Sequence, residues 1–204
     1  GDSSRTSITH NRIAYNFGVG IRIDGSHDNE ISTNGIYLNG LLDDSRVAGI
    51  RVSEGSGNRI SSNVIYDNGG PGITFNFSAT PTPNDDMDAD AGPNGLQNYP
   101  NVASVTATPT EATCVGFLSS LPSNTYRIEV FASRLGSKDG FGEAEINVGY
   151  FDVATSAAGI ANFANVLPTT AVQPGMFVTM TATDIFGNTS ELSPSVPVQG
   201  PTDS

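Results

Sequence analysis

Oxygen-bearing side chains at alternate positions form the most suggestive chemical pattern in this sequence. The candidate ligands come from one acidic segment and are Asp86, Asp88, Asp90 and Asn94. Calcium takes about six to eight hard oxygen ligands, and a bound cation would relieve the repulsion between neighbouring carboxylates. Against a site, Ala91 precedes the turn at Gly92, and no glutamate follows that could bind the ion through both oxygens. The segment therefore predicts either a calcium site or a solvated acidic hinge.

Two arginines occupy equivalent positions in a repeated pattern. Residues 20–23 and 49–52 both read Gly-apolar-Arg-apolar, which is expected to place Arg22 and Arg51 in one outward column. Like charges directly opposite each other on neighbouring strands repel, so the pair suggests an anionic ligand such as a uronate. The simpler interpretation is that both side chains splay apart into solvent.

Tyr37 and Tyr66 also recur in one column, where their rings could stack on sugar rings. The simpler interpretation is an aromatic ladder that covers the wall of a repetitive fold. The two histidines, His10 and His27, have no second histidine or cysteine close to them in sequence and are expected to be surface residues. The sequence contains no nucleophile elbow, phosphate loop or zinc-ligand spacing. We therefore assign no catalytic residue, and the balance is against an enzyme.

The segments that carry these residues repeat along the first part of the chain. The copies that match one another are residues 6–11, 29–34 and 58–63. Ile8 and Ile31 are 23 residues apart, whereas Ile31 and Ile60 are 29 apart, so the second repeat carries a six-residue insertion at 41–46. Short alternating runs bounded by glycine and asparagine indicate β-strands. A period of this size, with one apolar face in each repeat, indicates a solenoid.

Asparagines recur at the corners of these repeats and are expected to form ladders. Asparagine tolerates a left-handed backbone and can hydrogen-bond to an asparagine one rung along. The predicted ladders contain Asn11, Asn34 and Asn63, and Asn16, Asn39 and Asn68. These Asn-x-Ile-x-x-Asn-x-Ile rungs resemble right-handed parallel β-helix proteins, the group that includes pectate-lyase-like enzymes. The resemblance covers about residues 6–78 and implies a fold but no single activity, because this fold hosts lyases, hydrolases, epimerases, adhesins and spacers alike.

The second part of the chain has a different pattern. From Val102 onward, about seven short alternating runs with turns roughly every 8–12 residues predict a β-sandwich. The motifs at 88–100, 124–129 and 182–191 resemble, in that order, the immunoglobulin-like module that follows β-helix repeats in large secreted or surface-attached bacterial proteins. The predicted division is an all-β chain with a right-handed parallel β-helix of about three rungs at 1–78, a Pro- and Asp-rich connector at 79–100, an immunoglobulin-like β-sandwich at 101–198 and a tail at 199–204.

Composition restricts the partners of the chain. Its 204 residues carry a formal net charge of −12, which disfavours nucleic acid and anionic membranes. No run approaches the ~20 apolar residues of a membrane span. The single cysteine, Cys114, lies in an alternating run that predicts a buried, inert thiol. The glycine-rich loop at 136–142, with Lys138 and Asp139, is expected to be a turn that binds no small molecule.

Together these features favour a structural or adhesive module of a secreted or cell-surface bacterial protein. The alternative is a fragment of a polysaccharide-active β-helix enzyme, a lyase, hydrolase or epimerase, with its catalytic rungs upstream. The first rung should expose an apolar end formed by Ile8, Ile13 and Ile21, and terminal repeats need a cover to stay soluble. We expect this cover to be upstream rungs of a longer chain or another copy of the chain, and head-to-tail stacking of copies would build a filament.

Overall fold

The structure of the protein is a computed structural model that describes residues 5–40, 47–76, 78, 80–136 and 140–201. The predicted insertion at 41–46 and the predicted loop residues Lys138 and Asp139 lie outside the described residues. The described chain is all-β apart from two short 3-10 turns, Asp86–Asp88 and Pro93–Leu96. None of its helices is long and apolar enough to cross a membrane.

Strands of three residues build the first half of the molecule. They form three parallel sheets, and each rung of the coil gives one strand to each sheet. The first sheet contains β1 (Ser7–Thr9), β4 (Glu30–Ser32) and β7 (Arg59–Ser61). The second contains β2 (Arg12–Ala14), β5 (Gly35–Tyr37) and β8 (Val64–Tyr66). The third contains β3 (Ile21–Ile23), β6 (Ile50–Val52) and β9 (Ile73–Phe75). The predicted short parallel β-helix is confirmed.

Apolar columns fill the interior of this coil. Neighbouring side chains in a strand point to opposite faces, so each short strand contributes only one or two inward residues. The aligned columns are Ile8, Ile31 and Ile60, then Ile13, Ile36 and Ile65, then Ile21, Ile50 and Ile73, and finally Ile23, Val52 and Phe75. A single rung cannot bury these side chains, but a stack can. The second and third rungs bury theirs almost completely, whereas Ile8 and Ile13 of the first rung are only partly buried.

Asparagine ladders hold the corners of the coil together, as predicted. Asn34 Nδ2 donates to Asn63 Oδ1 at 3.0 Å, and Asn39 Nδ2 donates to Asn68 Oδ1 at 3.0 Å. The same Asn34 amide also donates to Ile8 O of the preceding rung at 2.7 Å. Asn34 and Asn39 of the second rung therefore each link the rung before them to the rung after them.

The corners turn through the residue that precedes each asparagine. The φ angle is 59° at His10, 55° at Thr33 and 55° at Ser62, and each of these residues is exposed. The expectation that the asparagines themselves take the left-handed conformation is therefore wrong. Hydrogen bonds in the ladder fix each asparagine side chain, so the turn falls on a neighbour whose side chain is free to point into solvent.

A column of glycines allows the rungs to approach each other. A Cβ atom at Gly20 would lie 2.7 Å from Gly49 O, and one at Gly49 would lie 2.6 Å from Gly72 O. The repeated Gly-apolar-x-apolar pattern thus reflects close packing between rungs. At Gly72 a Cβ atom would instead lie 2.7 Å from Leu192 Cδ1. A residue of the second half therefore packs on the last glycine of the column, where a further rung would otherwise lie.

Longer strands build the second half. They are β10 (Asn101–Ala107), β11 (Glu111–Ser119), β12 (Thr125–Ser133), β13 (Ile146–Ala154), β14 (Ile160–Pro168), β15 (Phe177–Thr183) and β16 (Val196–Gln199). They form one seven-stranded sheet in the order β13-β12-β15-β16-β10-β11-β14. All neighbours are antiparallel except β10 and β16, which are parallel. The edge strands β13 and β14 contact each other, so the sheet is a nearly closed barrel, and the predicted immunoglobulin-like sandwich is not confirmed.

Each half has its own apolar core, and the β-helix core extends into the second half. The barrel core surrounds residues such as Ile128 and Met180 and includes Cys114, whose burial raises the pKa of the thiol to about 11. The β-helix core takes in Phe131, Ala144 and Leu192 from the barrel half, packed on the last rung. The barrel therefore covers the end of the apolar columns.

Candidate functional site

Buried polar groups concentrate where the last rung of the β-helix meets the second half. The residues of the second half at this contact are Asn94, Glu129, Glu143, Ala144, Asn188, Thr189 and Glu191, which we call the rung-end interface. Within the coil, each rung accepts hydrogen bonds from backbone N–H groups of the rung before it. The N–H groups of the last rung need other acceptors, because a buried and unpaired backbone group is costly.

Asn94 extends a further asparagine ladder out of the β-helix. Asn29 N donates to Asn58 Oδ1 at 3.3 Å, and Asn58 N donates in the same way to Asn94 Oδ1 at 3.1 Å. Asn94 Nδ2 returns a hydrogen bond to Asn58 O at 2.8 Å, and the side chain is completely buried. Asn94 thus occupies the place that an asparagine of a following rung would take.

Asn188 replaces a backbone acceptor at the neighbouring position. In the second rung, Asp28 N donates to Ser56 O at 3.0 Å. Gly57 is the equivalent residue of the last rung, and its N–H donates to Asn188 Oδ1 at 2.6 Å. A side-chain amide therefore takes over the role of a carbonyl group from the next rung.

Glu129 also replaces a backbone acceptor of the next rung, in this case with a carboxylate. Thr33 N donates to Ser61 O at 3.2 Å, whereas the equivalent Ser62 N donates to Glu129 Oε2 at 3.0 Å and to Oε1 at 3.2 Å. The Ser62 hydroxyl adds a hydrogen bond to Glu129 Oε1 at 3.3 Å. Charge-assisted hydrogen bonds of this kind are stronger than those between neutral groups.

Thr189 and Ala144 satisfy the strands on two sides of the coil. Ile60 N donates to Thr189 Oγ1 at 3.0 Å. Ile65 N donates to Ala144 O at 2.8 Å, and Ala144 N donates back to Ile65 O at 2.7 Å, which forms an isolated antiparallel bridge. The loop before β13 therefore pairs with the last rung as a strand would.

Glu191 supplies the acceptor on the third side of the coil. Phe75 N donates to Glu191 Oε1 at 2.8 Å, and Thr82 N donates to Glu191 Oε2 at 2.6 Å. The side chain is 1% exposed. One carboxylate therefore binds both the last strand of the β-helix and the segment that leaves it.

The two buried glutamates carry the largest electrostatic cost of this contact. Burial raises the pKa of Glu191 to about 7, although the N–H groups of Phe75 and Thr82 act in the opposite direction. Burial also raises the pKa of Glu129, opposed by its hydrogen bonds from Ser62. Desolvation disfavours the charged form of a carboxyl group, so the rung-end interface is sensitive to proton concentration.

The structure brings together only some of the predicted calcium ligands. Asp88 and Asp90 lie with Asp85, and one carboxylate oxygen from each lies within 4.8 Å of the others. Asp86 is exposed and lies outside this group, and Asn94 is committed to the ladder described above. The acidic cluster therefore includes one residue that the alternate spacing did not predict and lacks two that it did.

Hydrogen bonds within the connector hold the clustered carboxylates. Asp88 Oδ1 accepts a hydrogen bond from Asn98 N at 2.9 Å, and Asp88 Oδ2 accepts one from Ser120 Oγ at 2.7 Å. Asp85 Oδ2 accepts hydrogen bonds from Ala89 N at 3.0 Å and from Asp90 N at 3.1 Å. Burial raises the pKa of Asp88 to about 6 in spite of its two donors. These contacts shape the turn, and calcium binding stays a prediction.

Arg22 and Arg51 share a column, as predicted, but only Arg22 reaches solvent. Arg51 lies on the same outer face but is only 4% exposed, so the exposure to solvent predicted for it is wrong. The neighbouring Thr74 is also buried and donates to Ser78 O at 3.0 Å, which shows that the chain leaving β9 folds back over this face. Arg22 Nη2 lies 2.5 Å from Asp24 Oδ2, and this hydrogen bond lowers the pKa of Asp24.

A shallow open cleft lies beside this salt bridge. Its lining residues are Arg22, Asp24, Gly25, Ser53 and Glu54. The positive charges of Arg22 and Arg51 both act on the carboxylate of Asp24, and Glu54 adds a second negative charge. This charge balance disfavours the uronate ligand that the sequence suggested.

Tyr37 and Tyr66 form an aromatic ladder. Their ring centroids are 5.0 Å apart, and the ring planes differ by 17°. From the preceding rung, the Arg12 guanidinium carbon lies 5.3 Å from the Tyr37 centroid, and Tyr15 meets Tyr37 edge to face at 6.5 Å. Tyr37 is thus in contact with its neighbours in the rungs on either side, which leaves no free ring face on it for a sugar.

Sequence reasoning gave no role to the residues of the rung-end interface other than Asn94, which it predicted as a calcium ligand. Glu129 lies in a strand whose alternation places it on the outer face, where an isolated sheet would expose it to solvent. Thr189 and Glu191 belong to a motif that was noted only for its resemblance to a known module. The available signal was an acidic residue between the apolar Ile128 and Val130, because such a residue is buried only when another surface covers it.

The solved structures that this chain resembles include two tailspike chains at low identity. The enzymatically active domain of tailspike protein 2 from bacteriophage CBA120 is 11% identical, with a TM-score of 0.28; the match covers 95% of this chain and 42% of that chain. Full-length tailspike protein 2 from an Escherichia coli O157:H7 bacteriophage is 10% identical, with a TM-score of 0.24; the match covers 95% of this chain and 38% of that chain. The chain therefore spans less than half the length of either tailspike, and these scores support no inference about activity.

No curated protein matches this chain. The family model described as right handed beta helix region matches residues 1–102, which is half of the chain. The parallel sheets, the inward apolar columns and the asparagine ladders all lie within the matched residues. The chain therefore belongs to the right-handed β-helix family.

Proposed function

We propose that this chain is a structural module of a secreted or cell-surface bacterial protein, in which a β-helix rod ends on an immunoglobulin-like domain. The observation that carries the proposal is that outward side chains of the rod engage one another. Tyr37 stacks on Tyr66. Arg22 forms a salt bridge with Asp24. Side chains paired in this way stabilise the wall of the coil and leave few groups to hold a ligand.

The strand pairing supports an immunoglobulin-like identity for the barrel. Strands β12, β15 and β16 pair as strands C, F and G do in that fold, and β13 lies beside β12. Strands β10, β11 and β14 pair as strands A, B and E do. The parallel pair of β10 and β16 joins the two groups, which accounts for a nearly closed sheet built on this topology.

The first rung of the rod has an apolar end that further β-helix rungs would cover. Ile8 and Ile13 are only partly buried in the first rung. We propose that upstream rungs of a longer chain, or another copy, stack on this face. Light scattering over a concentration series tests the second version, and a monomer at high concentration would exclude it.

A panel of acidic and neutral polysaccharides provides the test of the structural role. We expect no release of reducing ends or unsaturated uronates, and no binding above background on a glycan array. Catalytic release, or selective binding to one class of sugar, would overturn the proposal. If activity is found, the barrel-half variant Glu111→Gln is the matched control and should retain it, because Glu111 is exposed and far in sequence from the β-helix.

The cleft beside Arg22 favours a second candidate function, which is binding or cleavage of a polysaccharide. Two carboxylates near a guanidinium group are the residue types that such chemistry uses. If this function is correct, Asp24→Asn and Glu54→Gln should each abolish the activity found on the panel. Activity that survives both changes would remove the cleft from consideration.

A further inference from the structure

We infer that the rung-end interface is a recognition surface for the C-terminal end of a right-handed β-helix, and that it prevents another rung from stacking there. The inference rests on the proposed structural role and identifies what the second half binds. Its partner is the exposed backbone edge of a completed rung, which in this chain is the rung that ends at β9.

The rung-end interface imitates a rung position by position. Thr33 donates to Ser61 O within the coil, and the equivalent Ser62 donates to Glu129. The same exchange of a rung acceptor for one from the second half occurs at Gly57 and at Asn58. An unspecific contact between two domains would not place acceptors at successive positions of one repeat.

The rung-end interface also covers all three sides of the coil. Thr189 meets the first sheet at Ile60, Ala144 meets the second at Ile65, and Glu191 meets the third at Phe75. These side chains and loops come from separate parts of the second half. The folded barrel is therefore required to present them together, which explains why a domain and not a short tail forms this surface.

Leu192 blocks the next rung sterically. A Cβ atom on Gly72 would lie 2.7 Å from Leu192 Cδ1, just as one on Gly49 would lie 2.6 Å from Gly72 O, so Leu192 occupies space that a further rung would need. Phe131 and Ala144 pack on the same apolar columns. Head-to-tail stacking of two copies needs this end of the coil, so it requires the barrel to be displaced. Contacts between rungs of different copies are therefore directed to the opposite end.

Residue-resolved amide hydrogen exchange on the whole 204-residue chain tests the inference. In Glu129→Ala, we expect the Ser62 amide to exchange about tenfold faster or more, because it loses a charge-assisted hydrogen bond. Thr189→Val keeps the shape of the side chain but removes the acceptor of the Ile60 amide. In this variant the Ile60 amide, and not the Ser62 amide, should exchange faster. The conservative variant Glu129→Gln retains an acceptor oxygen and should restore part of the protection of Ser62.

Thr33 provides the internal control, because its amide bonds to the next rung and not to the barrel. Acceleration of Ser62 without Thr33 supports recognition of the rung end. Equal acceleration of both amides would show general opening of the coil and would overturn the inference, as would unchanged exchange at Ser62 in Glu129→Ala. Glycan binding on the array would contradict the proposed structural role and leave these exchange results intact, so the two failures are distinguishable.

Duplication of a rung gives a second test. A copy of residues 29–57 inserted after Gly57 adds one full repeat of 29 residues and leaves the last rung unchanged. If the barrel recognises the rung end, the Ser62 and Phe75 amides keep their protection in the longer chain. Loss of protection at both amides in a variant that remains folded by circular dichroism would contradict the inference.

Discussion

The two halves of this molecule hold their strands in place by different means. In the β-helix, strands of three residues stack on copies of themselves, so that isoleucine meets isoleucine and asparagine meets asparagine. In the barrel, strands of up to nine residues each meet a neighbour of different sequence. Repetition makes contacts local to the repeat, whereas the barrel depends on pairings between segments far apart in the chain. The difference teaches that a repeat can specify its own neighbours but not its own end.

Buried polar groups differ between the halves in the same way. At the corners of the β-helix they are neutral asparagine amides, which both donate and accept and can pass a hydrogen bond along a column. At the rung-end interface they include carboxylates, which only accept when ionised. The backbone N–H groups of this edge need acceptors, which the carboxylates supply, whereas the carbonyl groups of Asn58 and Ile65 receive donors from Asn94 and Ala144. The residue type therefore changes where the repetition stops.

The largest effect should come from breaking an asparagine ladder. In Asn63→Leu, the backbone and side-chain amides of Asn34 lose their shared acceptor, and Ile31 O loses its donor. We expect the free energy of unfolding to fall by about 3–5 kcal/mol, because several buried polar groups lose their partners. Urea unfolding measures this change. Asn162→Ala, at an exposed position of β14, is the control and should change it by less than about 0.5 kcal/mol. A loss below about 1 kcal/mol in Asn63→Leu would show that the ladder is not a main source of stability.

Acidification should stabilise the chain through its rung-end interface. The pKa of Glu191 is about 7 in the folded protein, above the ordinary value of 4.5, so the folded state binds more protons between these values. The stabilisation is therefore present at low pH and is lost as pH rises through about 7, with a difference on the order of 2–3 kcal/mol. Urea unfolding at about pH 5 and about pH 8 measures it.

Two variants identify the group responsible for this pH dependence. Glu191→Gln removes the titrating carboxyl group and should leave only the smaller dependence from groups such as Asp88, whose raised pKa acts with the same sign. Glu111→Gln changes an exposed glutamate and should keep the full dependence. A wild-type dependence retained in Glu191→Gln would assign the effect to other residues.

A smaller effect should follow from crowding the glycine column. In Gly49→Ala, the new methyl group would lie 2.6 Å from Gly72 O and 2.8 Å from Ile65 Cγ2, so the rungs must separate. We expect a loss of about 2 kcal/mol in unfolding free energy, as for other overpacked sites. Gly18→Ala is the matched control, because a Cβ atom there has no heavy atom within 4 Å. Equal stability of the two variants would mean that the rungs adjust without cost.

The smallest expected effect concerns the acidic connector. The calcium prediction requires that millimolar calcium raise the melting temperature and protect the segment between Pro83 and Tyr99 from proteolysis. Asp90→Asn should remove this response, whereas Asp86→Asn should keep it, because Asp86 lies outside the carboxylate cluster. If calcium changes neither quantity in the unmodified chain, the connector is a solvated acidic hinge.

Repetition explains why much of the β-helix could be predicted. The asparagine ladders and the column of Tyr37 and Tyr66 follow from the period alone, because a residue one repeat away lies in the adjacent rung. The low exposure of Arg51 could not be predicted from the period. It shares the column of Arg22, yet Arg51 is buried and Arg22 is exposed.

The sequence by itself determined the coil, since inward isoleucines, corner asparagines and close-packed glycines recur in every rung and leave few other ways to bury apolar surface. Only the tertiary structure decided how the coil ends. Asn94 lies 36 residues after Asn58, where the period is 29, so no repeat pointed to it. Glu129 alternates outward in its strand, and it is buried because the folded barrel places that face against the last rung. Contacts between unlike segments depend on the path of the whole chain, and local spacing does not encode that path.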